Sequence, residues 1–368
     1  MTSTEIAVHA ELLDCLQANL AVLADRHHGP GTHLALGAPL RFRPTAGPDG
    51  LPTVEPSLAD RLTDAERFLG LQVTAQWQQV TPSRLADLSY YQHGELYVMA
   101  DAYDLPWTPY RGQQHMEHSF LVSSGPAGAV ITDAYRNQTP WGNAVPGRWE
   151  LDWADLPTAD DVVVLTPTAT VPAAAPVVDV ADPAPYLDAY ARHADRLTAL
   201  RRLTLETWLL TRSRKLHAGF LARSGAPVTG EAERHLRAWD LLAEQTYLAM
   251  RRAERGRREP TGLLDRLGQA LTADREVFGG TSPGQVRDTV AGVVAAVLGT
   301  NTERVLAEPE LTLLPGFDSM RLVEVVARLE QRLDVEFDPD DLLPENLHHL
   351  DSLCRLAAGS AGATGGTT

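Results

Sequence analysis

The chain has 368 residues, a length typical of two or three domains, and a formal net charge of −16 at pH 7. This acidic balance argues against a general nucleic-acid-binding protein, and an apolar share of 44% excludes disorder along the whole chain. The two cysteines, Cys15 and Cys354, are too few for a disulfide framework. The sequence shows neither a basic leader nor an apolar run long enough to span a bilayer, so we expect a cytoplasmic protein with no membrane partner.

Residues 1–170 mix helical and extended patterns, which predicts an α+β domain with a helix ahead of an antiparallel sheet. Helices are predicted over residues 12–27 and 59–69, and strands over residues 34–42, 72–80, 95–102, 120–123, 129–132 and 162–165. Glycines between the fourth and fifth of these strands predict that the two form a hairpin.

Composition divides the rest of the chain. Proline and alanine dominate residues 171–185, which we interpret as an extended linker, and residues 186–278 form a basic helical region. The arginines of that region are interpreted either as a solvated helix face or as a docking face for an acidic carrier. Residues 284–358 form a third domain, followed by a flexible tail at residues 359–368. The helices predicted in these parts cover residues 186–202, 203–221, 231–252, 285–298, 319–333 and 349–357.

A short motif, Gly316-Phe317-Asp318-Ser319-Met320, precedes an amphipathic helix in the third domain. Asp318 stands where a helix N-cap belongs, and Ser319 is then the first helical residue. A phosphate on this hydroxyl would face free backbone N–H groups and the positive end of the helix dipole.

Residues 285–357 resemble an acyl or peptidyl carrier protein in this motif, in the acidic loop at residues 334–341 and in the closing helical segment. The resemblance implies a four-helix carrier domain in which Ser319 bears covalent 4′-phosphopantetheine. It also implies a phosphopantetheinyl transferase as partner, together with an acyl-loading enzyme or a separate carrier protein.

Cys15 follows Asp14 at the predicted start of the first helix. The helix dipole at such a position favours the thiolate, which is the nucleophilic form of cysteine. His118, at the head of a predicted strand, is the candidate base, and Asp133 follows the next strand of the hairpin. Adjacent strands can bring these two side chains together, so that the carboxylate fixes the imidazole tautomer. Taken alone, a cysteine in a helix is more often a buried apolar residue than a nucleophile.

The chain order of cysteine, histidine and aspartate is that of papain-like enzymes. Residues 12–133 resemble the N-terminal domain of the butirosin biosynthesis protein H family, in the order and spacing of DCLQANLAVLADRHHG, LALGAPLRF, GELYVMADAYDLPWTPY, HMEHSFLVSS and AVITDAY. That family consists of papain-like cysteine acyltransferases, so the resemblance implies Cys15 as nucleophile, His118 as base and Asp133 as orienting group. The sequence departs from the papain-like pattern at His9, which lies six residues before Cys15 where a glutamine oxyanion donor is usual.

A metal site is the alternative interpretation of His115 and His118. Their string HMEH matches neither HExxH nor HxxEH, so we expect no metal.

A carrier fused to a thiol enzyme predicts acyl transfer in specialised metabolism, such as antibiotic biosynthesis. We expect Cys15 to accept an acyl or aminoacyl group from a carrier, and His118 to activate an amine acceptor so that an amide forms. Three alternatives remain open at this point. They are release of the carried chain by a thioesterase or cyclase, a non-catalytic papain-like recognition domain that presents Ser319, and cleavage of a leader peptide.

Overall fold

The computed structural model describes residues 8–92, 94–225, 229–279, 283–333 and 337–360, and of residues 283–286, 333 and 358–360 it describes the backbone alone. The chain forms two compact units. The first comprises Met1–Ser224 and Leu236–Leu271, and the second comprises Gly225–His235 and Thr272–Thr368. The part of the chain so described contains no helix long and apolar enough to cross a membrane.

The helices of the described residues are α1 Cys15–His28, α2 Leu58–Leu69, α3 Pro82–Gln92, α4 Ala184–Arg192, α5 Arg196–Arg223, α6 Gly230–Glu254, α7 Leu263–Phe278, α8 Pro283–Leu298, α9 Thr302–Ala307, α10 Ser319–Leu333, α11 Pro344–Leu347 and α12 Leu350–Ser360. The strands are β1 Pro39–Phe42, β2 Thr45–Ala46, β3 Pro52–Thr53, β4 Leu71–Val80, β5 Leu96–Asp101, β6 Glu117–Gly125, β7 Gly128–Asp133, β8 Asn137–Thr139, β9 Gly142–Ala144, β10 Gly147–Leu151, β11 Ala159–Pro167 and β12 Val177–Val180.

A six-stranded sheet forms the centre of the first unit, in the order β10-β7-β6-β5-β11-β4. Each neighbouring pair of strands is antiparallel, as the sequence predicts. Both faces are covered: Tyr97 and Met99 of β5 pack in the core that contains α1 and α2, whereas Leu96 and Val98 pack in the core that contains α3. A strand buried on both faces is apolar at consecutive positions, which explains the run Leu96–Ala100.

Helix α1 begins at Cys15 rather than at residue 12. Asp14 accepts hydrogen bonds from the backbone N–H groups of Leu16 and Gln17, and the Gln17 side chain accepts from the backbone N–H of Asp14. This capping box fixes the first turn. The leucine stripe of the helix, including Leu20, then packs against the sheet. The predicted helix is therefore confirmed, with its start moved three residues by the cap.

The predicted strand 34–42 is wrong over its first half. Residues Thr32–Gly37 form a 3₁₀ helix, and only Pro39–Phe42 is extended. The backbone of α5 passes so close that a Cβ on Gly37 would lie 2.3 Å from the carbonyl oxygen of Leu216. The predicted linker 171–185 likewise contains a strand, because β12 pairs with β1 in parallel. The sequence analysis also did not predict α3.

The basic helical region does not form a compact unit of its own. Leu216 and Phe220 of α5 lie in the same core as α1, so α5 packs with the sheet-containing part of the chain. The predicted helix 186–202 is two helices. α4 ends at Arg192, and Asp195 caps α5 by accepting from the N–H groups of Leu197 and Thr198.

The second unit contains α8–α12 around one apolar core. Val290 and Val294 of α8 meet Leu329 of α10 and Leu353 of α12 in that core. The three predicted helices are confirmed, and α12 runs to Ser360, one residue past the start of the predicted tail. Residues 334–336 of the acidic loop and residues 361–368 of the tail lie outside the described residues.

Candidate functional site

Cys15 is the first residue of α1, and its side chain is partly exposed. The Sγ–H group donates to the carbonyl oxygen of Glu117, at 3.4 Å. Glu117 is the first residue of β6 and immediately precedes His118. The helix terminus therefore brings the thiol to the end of the strand that carries the candidate base.

His118 and Asp133 lie side by side, as adjacent strands predict. The Nε2–H group of His118 donates to Oδ2 of Asp133 at 2.7 Å, and both side chains are buried. Because the carboxylate is the acceptor, the lone pair of the neutral imidazole is on Nδ1. That Nδ1 is buried and has no hydrogen-bond partner among the described residues. The ring therefore presents a proton acceptor in a fixed orientation.

Asp133 is held as an ionised acceptor. Its Oδ2 also accepts from Trp107 Nε1 at 3.0 Å, and its Oδ1 accepts from Tyr135 N at 2.9 Å and Asn19 Nδ2 at 3.4 Å. Burial raises the pKa of this carboxyl, but His118 and these donors outweigh burial, so that the pKa is lowered. The group thus stays negative beside the imidazole, which is the state that stabilises an imidazolium.

A hydrogen-bond network joins α1 to the two strands. Ser119 Oγ donates to the carbonyl of Cys15 at 2.7 Å, and Asn19 Nδ2 donates to the carbonyl of Ser119 at 2.8 Å. The Oδ1 of Asn19 accepts from the backbone of Ala134 at 3.0 Å. The sequence analysis missed Asn19 and Ser119. The sequence signal for Asn19 is a polar amide one helical turn after Cys15, within a stripe of leucines that is predicted to be buried.

The thiol itself differs from expectation. Burial, followed by the Asp14 carboxylate, raises the pKa of Cys15 well above its usual range, against the opposing charge of Arg61. The sequence favoured the thiolate at this helix terminus, whereas burial and Asp14 raise the net pKa and favour the thiol. Asp14 is both the helix cap and a buried anion next to the sulfur, and its Oδ2 pairs with Arg61. In the resting site, sulfur is a neutral thiol.

A backbone N–H donor lies at the thiol. The backbone N–H of Cys15 lies in the first turn of α1, where N–H groups have no intrahelical acceptor. Gln17 serves the capping box, and the ring of His9 lies against Glu11, with 3.2 Å between Nδ1 and Oε1.

The two histidines considered as metal ligands do not converge. His115 is exposed and pairs with Asp101 at 2.5 Å between Nδ1 and Oδ2, and its ring stacks on Tyr103. His118 faces Asp133 instead. No group of three or more metal-ligating side chains is found in the described ranges.

Much of the basic helical region is paired within the first unit. Arg202 bonds Glu55 and the buried Glu206, Lys215 bonds Asp240, and Arg201 bonds Glu254. These internal pairs use charge that a docking face would present to an acidic carrier. The docking interpretation stays a hypothesis, with weaker support than the sequence alone gave it.

Ser319 is the first residue of α10, and its side chain is exposed. Asp318 caps the helix: Oδ1 accepts from the N–H of Arg321 at 2.8 Å. Gly316 has a left-handed φ of +83°, and a Cβ there would lie 2.7 Å from Arg321 Nη1.

The Ser319 hydroxyl at this terminus suits a phosphodiester, because the helix dipole and free N–H groups favour an anion. The exposed apolar side chains of Met320 and Val323, 79% and 64% accessible, flank it.

One family matches the chain, over part of its length. Residues 288–357 match the family described as "Phosphopantetheine attachment site". The second unit therefore contains a carrier domain, and such a domain carries covalent 4′-phosphopantetheine on a serine. The matched segment contains two serines, of which Ser319 is exposed at a helix terminus and Ser352 is partly buried. No curated protein sequence matches the chain.

These findings settle the carrier and leave the first unit open. A carrier domain implies a phosphopantetheinyl transferase and loading enzymes, and it supports a carrier-linked biosynthetic role. The resemblance to the butirosin biosynthesis protein H family and the catalytic roles of Cys15, His118 and Asp133 stay predictions.

Proposed function

We propose that the chain is a cysteine-dependent acyltransferase of specialised metabolism, which takes an acyl or aminoacyl group from a carrier and passes it to an amine. The observation that carries the proposal is one chain with both a carrier domain and a buried histidine–carboxylate pair beside a helix-terminal cysteine. We assign Ser319 as the attachment serine. The attached arm supplies a thioester, which is activated towards thiol attack without ATP.

The first half-reaction forms an acyl-enzyme. His118 Nδ1 takes the proton of the Cys15 thiol as Sγ attacks the carbonyl carbon of the donor thioester. The backbone N–H of Cys15 donates to the oxyanion. Collapse breaks the donor C–S bond, the proton on His118 goes to the departing thiol, and the acyl group remains on Sγ as a new thioester.

The second half-reaction forms the product. An amine attacks the carbonyl carbon of the Cys15 thioester, and His118 Nδ1 takes the proton that the nitrogen loses. The C–S bond breaks, the amide leaves, and the proton returns to the Cys15 sulfur. Asp133 holds the imidazole throughout and offsets its positive charge. Fusion of the carrier raises the effective concentration of donor at the thiol.

The raised pKa of Cys15 sets the order of events. A neutral thiol bonded to the Glu117 carbonyl must turn towards His118 before it can react. Proton transfer then accompanies attack rather than preceding it, so the thiol is activated by a bound donor.

The hydrogen bond from the neutral Cys15 thiol to the Glu117 carbonyl favours a second candidate, a non-catalytic recognition domain that presents its carrier. In that case the Cys15 thiol keeps its bond to Glu117, and no acyl group reaches it. The two candidates differ in whether Cys15 ever bears an acyl group.

The proposal is tested by an amide-forming assay. The apo protein is loaded by a phosphopantetheinyl transferase, which transfers the acyl-phosphopantetheine arm of an acyl-coenzyme A to the carrier serine, and is then given a panel of amines. The amide is measured by mass spectrometry. We expect turnover in the wild type, loss in Cys15→Ala and His118→Ala, and retention in Cys354→Ala, the matched control thiol. Free acid as sole product would assign a thioesterase instead. Turnover that survives Cys15→Ala would refute the proposal.

A further inference from the structure

Arg212 of α5 reaches the chain segment that leads into the candidate nucleophile. Its Nη1 donates to the carbonyl of Ala10 at 2.8 Å and also to the carbonyl of Leu13, two residues before Cys15. These bonds join residues about 200 positions apart in the sequence, with separations of 202 and 199. The guanidinium thus fixes the backbone from which α1 starts.

The other end of the same guanidinium holds the chain that follows Asp133. Nη2 of Arg212 donates to the carbonyl of Arg136 at 2.7 Å. One helical turn earlier, Trp208 Nε1 donates to Oδ1 of Asn137 at 3.3 Å. The guanidinium lies 4.3 Å from the centre of the Trp208 ring, so the two side chains of α5 support each other.

The arrangement is costly for a charged group. Burial lowers the pKa of Arg212, and the acceptors named above are main-chain carbonyls rather than carboxylates. A cation held in this way gains less Coulomb energy than one in an ion pair, so its desolvation is only partly offset. The guanidinium is planar and its N–H donors have fixed directions, so it holds the two backbone segments at a fixed spacing.

That spacing matters for the proposed chemistry. One backbone segment carries Cys15, and the other carries Asp133, which orients His118. Proton transfer between a thiol and an imidazole requires the reacting atoms to be placed within a fraction of an ångström. A misplacement of about 1 Å can lower the rate about 100-fold.

We propose that Arg212 is a positioning residue, which sets the distance between Cys15 and the His118–Asp133 pair by clamping Leu13 to Arg136. This inference rests on the proposed function, and it makes α5 part of the active site although α5 lies in the region that the sequence separates from it. Arg212 acts through the backbone and does not touch the acyl group.

The test compares Arg212→Met, which keeps the aliphatic stem beside Trp208, with Arg212→Lys, which keeps the charge but not the fork. Arg192→Met is the matched control, because the Arg192 side chain at the end of α4 is exposed. For each variant, the amide assay gives kcat and KM, peptide mass spectrometry gives the rate of Cys15 alkylation by iodoacetamide, and urea gives the stability. In Arg212→Met we expect kcat to fall about 10- to 100-fold and alkylation to change about tenfold, with KM unchanged. Arg212→Lys should lie between this variant and the wild type.

A purely structural role would lower stability and leave kcat and alkylation of the folded protein unchanged, which would overturn the inference. If Arg212→Met does not fold, Arg212→Lys tests the inference instead. Wild-type kcat and a wild-type alkylation rate in Arg212→Lys would show that the guanidinium is not needed and would overturn the inference. The proposed function fails separately: a wild type without Cys15-dependent amide refutes the function, and the alkylation rates still test the clamp.

Discussion

The substitution Asp133→Asn keeps the shape of the side chain but removes its negative charge and one of its two acceptor oxygens. The two carboxylate oxygens accept from four donors: His118 and Trp107 on Oδ2, and Tyr135 and Asn19 on Oδ1. An asparagine offers one oxygen and one NH₂ group. Whichever way the amide turns, its NH₂ group faces either His118 and Trp107 or Tyr135 and Asn19, and at least one donor of that pair loses its acceptor.

The expected loss of stability follows from that count. A hydrogen bond to a charged acceptor contributes about 1.5–3 kcal/mol, so the loss of one or two of them lowers the unfolding free energy by about 1.5–6 kcal/mol. If the NH₂ group faces His118, Nε2 must become the acceptor and Nδ1 carries the proton. The base is then in the wrong tautomer, and the rate should fall by about 10⁴-fold, as in triad enzymes with the same exchange.

Urea unfolding and the amide assay measure the two effects. Asp101→Asn is the matched control, because Asp101 also pairs with a histidine, but His115 is 73% exposed and can turn into solvent. We expect the control to lose about 1 kcal/mol or less and to keep its rate. Asp133→Asn with the stability and rate of the wild type would refute the four-donor reasoning.

Three further outcomes are expected. Intact mass should show phosphopantetheine on the wild type and on Ser352→Ala but not on Ser319→Ala, with modification of Ser319→Ala as the contrary result. Because the pKa of Asp133 is lowered on folding, its contribution to stability is complete above about pH 4 and is lost as the pH falls further. Urea midpoints between pH 6 and 3 should therefore fall less steeply in Asp133→Asn than in the wild type, and equal slopes would contradict this. Because the pKa of Cys15 is raised, iodoacetamide should label it slowly at pH 7 and faster only above the ordinary range of a thiol, about pH 8.5. Rapid labelling at pH 7 would contradict the neutral resting thiol.

The sequence predicts best what neighbouring residues decide. The Asp14 cap with its leucine stripe places Cys15 at a helix start, and the glycines at 125 and 128 place the hairpin that pairs β6 with β7. Ser319 follows in the same way from Asp318 and an amphipathic helix. Each of these features follows from a local signal, namely a helix cap, a glycine turn or a repeat of apolar residues. Tertiary contacts do not change the outcome at these positions.

Contacts between distant residues could not be predicted in this way. The pairing of β1 with β12 joins residues 138 positions apart, such as Pro39 and Val177, and the intervening chain gives no sign of it. Arg212 resembled any other surface arginine of a basic helix, because its acceptors are backbone carbonyls that carry no sequence signature. The predicted boundary between the α+β domain and the basic helical region therefore followed composition rather than packing.

The pKa of Cys15 shows how two effects at one helix terminus compete. The dipole contributes roughly half a positive charge at the terminus, whereas the Asp14 side chain that caps the helix carries a full negative charge in a buried position. Desolvation of the thiolate acts in the same direction as that carboxylate. A capping residue that stabilises the helix thus opposes the ionisation that its terminus would otherwise favour.

The proposed function requires an acyl group to pass through Cys15, and peptide mass spectrometry detects that group. The apo protein is loaded by a phosphopantetheinyl transferase from an acyl-coenzyme A, quenched in acid and digested, with Cys15→Ala and Cys354→Ala alongside. We expect acyl mass on the peptide containing Cys15, absent in Cys15→Ala, retained in Cys354→Ala and discharged by added amine. A stable acyl group on the peptide containing Ser319, with none on Cys15 for any acyl group tested, would contradict it.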